Sequence, residues 1–181
     1  MKANKKFIAG GILTGTIAAG LALATPTIGA WYNVVIATGT VNHDLHVFAR
    51  VPLPETQQDW RGHHEHHEPT FKAALETDGA SNVVVQEIKF SPGGTTGWHD
   101  HPGILILTLA ADSGPVDWYD SNCQKRVYKA GDSWTEGTTL HDVVNNSGLD
   151  AHFLVAYVVA KDMNKRTDQP APECAAALGL N

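Results

Sequence analysis

Two histidines spaced i, i+2 close the run Gly93-Gly94-Thr95-Thr96-Gly97-Trp98-His99-Asp100-His101-Pro102-Gly103, and an apolar stretch from Ile104 to Ala110 follows directly. On a β-strand alternate side chains share a face, so His99 and His101 point one way while Asp100 points the other. Two imidazoles on one face can chelate a divalent metal, and a further ligand must then come from elsewhere in the fold. The candidate is His141, in Gly131-Asp132-Ser133-Trp134-Thr135-Glu136-Gly137-Thr138-Thr139-Leu140-His141-Asp142-Val143-Val144-Asn145. Imidazole ligation suits iron, manganese, zinc, copper or nickel, and the ligand types do not choose among them.

Other residues invite weaker chemical readings. Tyr157 can reach into a barrel as an acid or a substrate anchor, although packing explains a tyrosine in an apolar run equally well. Glu87 is the other candidate for acid or base work, with a solvent-facing position as its plain alternative. His63 and His67 are spaced i, i+4 in Arg61-Gly62-His63-His64-Glu65-His66-His67-Glu68-Pro69, which suggests either an accessory metal site or a solvated polar loop. Asp100 and Asp142 should turn away from the histidine face. Trp98 and Trp134 read as packing.

The elements that must position these residues are short strands. Trp31–Ile36 and Val41–Val51 are rich in β-branched and aromatic residues. From Asn82 onward Val83–Phe90, Ile104–Ala110, Val116–Tyr119, Arg126–Lys129, His141–Asn145 and Ala151–Ala160 are separated by Gly-, Pro-, Asn- and Asp-rich turns. Many short strands with almost no helical periodicity indicate an all-β sandwich or barrel. Phe71–Glu76 reads as a single helical turn, and residues 163–181 as a tail on the surface.

The string Gly93-x5-His99-x-His101 resembles the first motif of the cupin superfamily. The run from Gly131 to His141-x3-Asn145 is similar to the second, one residue short and with Gly137 in place of the usual proline. The resemblance covers residues 82–160. It implies a double-stranded β-helix, the jelly-roll barrel, with one divalent metal on His99, His101 and His141, and with Asn145 closing a turn by hydrogen bonding. Such proteins usually carry a glutamate three or four residues past the second histidine, which falls here on Leu105 or Ile106. The fourth protein ligand is therefore expected to be missing. The site is then either a three-histidine variant, like the thiol and acetylacetone dioxygenases, or one that has lost its metal. Three neutral imidazoles would leave the ion its full charge and favour anionic, oxygen-rich ligands.

Composition sets the outer limits. The 181-residue chain carries a formal charge of −6, and without residues 1–24 it retains 10 basic against 19 acidic residues. A field of that sign disfavours nucleic acid and anionic membrane surfaces as partners. Lys2, Lys5 and Lys6 precede an uncharged apolar stretch, Phe7–Ala24, ending in Ala22-Leu23-Ala24. This is the pattern of a secretory signal peptide, with Ile28-Gly29-Ala30 as a later cleavage site and an uncleaved anchor as the alternative. A secreted or periplasmic location follows, with no membrane contact after cleavage. In that compartment Cys123 and Cys174 are expected to form a disulfide. The organisation expected is a signal peptide over 1–24, N-terminal strands and a His-rich loop over 25–81, the barrel core over 82–162, and a tail over 163–181. Two functions stay open: a metalloenzyme of oxygenase, isomerase or lyase type acting on a small anionic molecule, and a non-catalytic small-molecule or metal-binding barrel. A homodimer is compatible with either.

Overall fold

The computed structural model describes residues 23–53 and 70–180. Most of the expected signal peptide and the whole His63–His67 cluster lie outside the described residues. Among these described residues, twelve strands and one short helix account for the regular structure: β1 (Ile28–Val41), β2 (Leu45–Pro52), β3 (Thr70–Thr77), β4 (Ser81–Thr95), β5 (His99–Asp100), β6 (Gly103–Leu109), β7 (Val116–Asp120), β8 (Lys125–Tyr128), β9 (Ser133–Glu136), β10 (His141–Val144), β11 (Ala151–Ala160), β12 (Thr167–Asp168) and α1 (Ala175–Leu178).

Five strands, ordered β1-β4-β11-β6-β9, make one antiparallel wall. The opposite wall runs β12-β5-β10-β7-β8. β4 joins the two, because its last residue, Thr95, pairs with Val144 of β10. The walls enclose a core of Phe90, Leu107, Leu109, Val116, Trp134, Phe153 and Val155, with others, supplied mostly by alternate strand positions. Ile-Leu-Ile-Leu in β6 shows the alternation plainly: Leu105 and Leu107 are buried while Ile104 and Ile106 face out. The result is the double-stranded β-helix expected from the sequence.

Three expectations change. Phe71–Glu76 is not a helical turn but most of β3, which pairs residue for residue with β2 from Leu45↔Thr77 to Pro52↔Thr70. A full cross-strand ladder outweighs the helix propensity of Lys72-Ala73-Ala74-Leu75-Glu76. Ser133–Glu136 is a strand, although it is short and polar. The tail does more than cover the surface. β12 joins the second wall beside His99, and the Cys123–Cys174 disulfide (S–S 2.07 Å) fixes the segment that follows. Strand pairing thus crosses both expected boundaries around the core, at 81/82 through β1–β4 and at 162/163 through β12–β5.

Candidate metal centre

The three histidines come together as expected. His99 on β5 and His141 on β10 are direct partners in register, with ring centroids 4.3 Å apart. Pro102 and Gly103 carry the chain from His101 straight into β6. No side chain fits at Gly103, where a Cβ would stand 2.4 Å from the Val158 carbonyl oxygen. The centroid of the His101 ring lies 4.8 Å from that of His99 and 5.2 Å from that of His141. All three are buried.

Each imidazole is oriented through its Nδ1. His99 Nδ1 lies 2.7 Å from the Gly97 carbonyl, His141 Nδ1 2.7 Å from the Thr139 carbonyl, and His101 Nδ1 2.7 Å from the Lys165 carbonyl. A carbonyl can only accept, so each Nδ1 must carry the hydrogen and each Nε2 is left as a lone pair when the ring is neutral. Two of these carbonyls belong to the residue two before the histidine. Gly97 reaches its position with φ +70°, where a Cβ would stand 2.6 Å from the Thr25 carbonyl oxygen. The third comes from the tail, sixty-four residues away in sequence.

A carboxylate that could serve as the fourth ligand stands on a different strand. Glu136 of β9 is buried, with Oε2 3.0 Å from His141 Nε2 and 3.5 Å from His101 Nε2. Its other oxygen, Oε1, accepts indole N–H groups from Trp118 and Trp134, each at 2.9 Å. The carboxylate is therefore fixed with one oxygen committed to the wall and one aimed at the histidines. The expectation of a carboxylate-free centre is corrected, and strand register supplies the reason. Glu136 is the direct cross-strand partner of Leu105, the very position that lacks the glutamate. Paired residues share a face and stand roughly 5 Å apart, so a carboxylate on β9 reaches the space that one on β6 would occupy. The sequence signal was the alternation of Ser133-Trp134-Thr135-Glu136 just after the turn at Gly131, where an inward Trp134 implies an inward Glu136.

One nitrogen from each of His99, His101 and His141 and one oxygen of Glu136 all lie within 4.8 Å of one another. The buried Nε2 atoms of His101 and His141 have no well-formed hydrogen bond among the described residues. Converging lone pairs and one carboxylate oxygen, with the opposite edges already satisfied, are the donor set a divalent ion requires. Electrostatics couple the same groups. Burial favours the neutral acid at Glu136, but the close His101 and His141 imidazoles override it and hold the carboxyl well below its usual range. Burial, and then the neighbouring His141 and Arg166, lower His99 well below an ordinary histidine. At His141 burial acts in the same direction and is outweighed by Glu136, which raises it.

A cavity of about 260 Å³ opens beside the cluster. Ile88, Phe90, Phe153 and Val155 supply apolar wall, and Lys165 and Arg166 of the tail line it as well. Tyr157 also lines the cavity, with its ring 5.7 Å from that of His101. Burial, followed by the charge of Glu136, pushes its phenol far above the ordinary tyrosine value, so the hydroxyl keeps its proton. Glu87 is not brought to the centre. Gln86 faces the cavity, and alternation along β4 turns Glu87 outward, where it meets His152 and Lys89. The other residues stand largely as read. Asn145 closes its turn through Phe90, Leu149 and Ser147. Asp100 accepts from Gln169, and Asp142 is buried away from the cluster, accepting from Thr95 and Thr96. Trp98 packs under the tail and donates to the Leu180 carbonyl.

Comparison with known proteins gives a consistent but distant picture. No family model matches the sequence, and no curated protein matches it. Solved structures do. A cupin domain from Bordetella pertussis Tohama I is 29% identical, over 43% of this chain and 82% of that one, with a TM-score of 0.38. A conserved double-stranded β-helix protein from Klebsiella pneumoniae is 23% identical over 48% of this chain and 73% of that one, with a TM-score of 0.41. A predicted oxalate decarboxylase from Thermotoga maritima is 21% identical over 45% and 83%, with a TM-score of 0.38. The first two are described as a cupin domain and a double-stranded β-helix domain.

Proposed function

We propose that the protein is an exported metalloenzyme that holds one divalent ion on His99, His101, His141 and Glu136 and acts on a small organic anion. The observation that carries this reading is the set of three Nδ1–carbonyl contacts, all 2.7 Å, on three histidines that each bring one nitrogen within 4.8 Å of one another and of an oxygen of Glu136. A bound ion would supply Lewis acidity and a place to coordinate an oxygen-bearing ligand. With one carboxylate in the set the ion keeps a single net positive charge, less than a three-histidine centre would. Lys165 and Arg166, which line the same cavity, add the positive field that an anion needs. Tyr157, protonated and facing the cavity, is placed to give a hydrogen bond or a proton to the ligand, which suits isomerase or lyase chemistry. Export is supported by the basic and apolar N-terminal pattern and by the disulfide, which belongs to an oxidising compartment.

The test is metal analysis of the purified protein, followed by calorimetric titration of benzoate and butyrate beside their uncharged amides. The expected result is about one ion per chain and binding of the acids in preference to the amides. Absence of metal, or equal binding of acids and amides, overturns the reading.

A further inference from the structure

The cavity has a second polar feature, at a distance from the cluster along the wall. The inward row Val84–Tyr157–Leu105–Glu136 crosses the first wall beside the histidines. The next inward row is Gln86–Val155–Leu107–Trp134, two residues further along each strand. That step is roughly 7 Å. Among the four, Gln86 and Trp134 carry polar groups, and the Trp134 N–H is already given to Glu136.

Gln86 is 3% exposed and lines the cavity. Its Nε2 donates to Asn33 Oδ1, from the inward face of β1. Its Oε1 is buried and has no hydrogen-bond partner among the described residues. The surrounding wall is apolar, formed by Ile88, Phe90, Phe153 and Val155. A polar oxygen in such a place costs free energy unless a donor reaches it, and the wall offers none. Packing alone would be served by leucine or methionine there, as it is at the neighbouring Val155 and Leu107. With Asn33 Oδ1 taking the Gln86 N–H, the Gln86 oxygen is the end left to the cavity.

We infer that Gln86, oriented by Asn33, is the recognition group for the far end of the ligand. It selects a small anion that carries a hydroxyl or N–H donor opposite its acidic group. The acidic end lies at the ion and the cations of the tail, the body lies along the apolar wall, and the donor reaches Gln86 Oε1. This rests on the anion reading given above and adds the chemistry of the ligand's other end.

The experiment uses two pairs of acids differing by one terminal hydroxyl, benzoate with 4-hydroxybenzoate and butyrate with 4-hydroxybutyrate. Each is titrated into metal-loaded wild type and Gln86→Met. In wild type at least one hydroxy acid should bind roughly tenfold more tightly than its parent, as expected for one satisfied buried hydrogen bond. In Gln86→Met that preference should vanish, the two members of each pair binding alike. If both members of each pair bind wild type equally, the inference is wrong and the anion reading stands. If none of the acids binds, the anion reading fails and the inference with it. The wild-type pairs decide the matter even if the variant does not fold.

Discussion

The protein builds two imidazole–carboxylate groups on one barrel, one facing in and one facing out, and they are wired differently. Inside, His99, His101 and His141 each spend Nδ1 on a backbone carbonyl, and His101 and His141 turn Nε2 to a single carboxylate oxygen. Outside, a single imidazole stands between two carboxylates, with His152 Nδ1 2.8 Å from Asp112 Oδ1 and Nε2 2.8 Å from Glu87 Oε1. The residue types are the same. The inner group is buried at the cavity wall and brings several nitrogens and one carboxylate oxygen together, the arrangement a cation can complete. The outer group has a single imidazole with a carboxylate at each end, so it offers no set of converging nitrogens to an ion. Backbone carbonyls, by setting the tautomer, separate a metal site from an ion pair.

The sharpest test of that contrast removes one histidine from each group. His101→Ala should lower bound metal from about one ion per chain to nearly none, while His152→Ala should leave it unchanged. Elemental analysis of protein purified without added metal gives the answer. Equal loss from the two variants would mean that the outer group holds the ion.

A second test concerns where the carboxylate must stand. Glu136→Leu should weaken metal binding at least roughly a hundredfold, the upper end of what even supporting residues contribute. Because Leu105 faces Glu136 across the ladder, adding Leu105→Glu to that variant should recover affinity to within about tenfold of wild type. Chelator competition measures both. Failure of the double variant would show that the indole clamp from Trp118 and Trp134, which Leu105 does not share, matters as much as position.

The inner histidines also differ among themselves. His99 and His141 are held by carbonyls two residues away, whereas His101 depends on Lys165 in the tail. The tail is fastened by β12, by the Trp98–Leu180 hydrogen bond and by the disulfide. A cross-link over 51 residues contributes about 4 kcal/mol on the chain-entropy account. Cys174→Ser should therefore lower the melting temperature, and loosening of Lys165 should weaken metal binding about tenfold. If stability falls and metal affinity does not, the tail's hold on His101 is independent of the disulfide.

What the sequence made legible follows from how local each constraint is. Alternation and turn residues reveal strands that are long and apolar, so β4, β6 and β11 were readable, and the spacing of His99 and His101 placed both on one face. The disulfide followed from the cysteine count and the export pattern. Glu136 was not recognised, because its role depends on a register between β6 and β9 that no local pattern encodes. For the same reason Lys165 and Arg166 looked like tail, and Phe71–Glu76 looked helical until β2 was there to pair with it. Glu87 went wrong by a single residue: one step along β4 separates the cavity face, with Gln86, from the outer face.

The smallest expected effect lies on the outer group, and its pH dependence carries the test. Asp112 is held below its ordinary value of 3.8, first by the hydrogen bond to His152, which outweighs a small opposing effect of burial. For an acid lowered on folding, the unfolded state binds more protons near that value, so its contribution to stability is present above about pH 4 and is lost as pH falls through the folded value. Asp112→Asn should therefore melt slightly below wild type at pH 5, and the gap should close as the pH is brought below the ordinary carboxylate range. The effect is small because Asp112 is exposed to solvent. Glu136→Gln, compared in the presence of chelator, has the same sign for the same reason, since Glu136 too is lowered on folding. Its gap should be larger and persist to lower pH, because its proton must displace two buried histidine contacts rather than one exposed one. Melting curves of the three proteins at several pH values distinguish the two groups. If the Asp112→Asn gap proves as large and as acid-resistant as that of Glu136→Gln, burial is not what separates the inner group from the outer one.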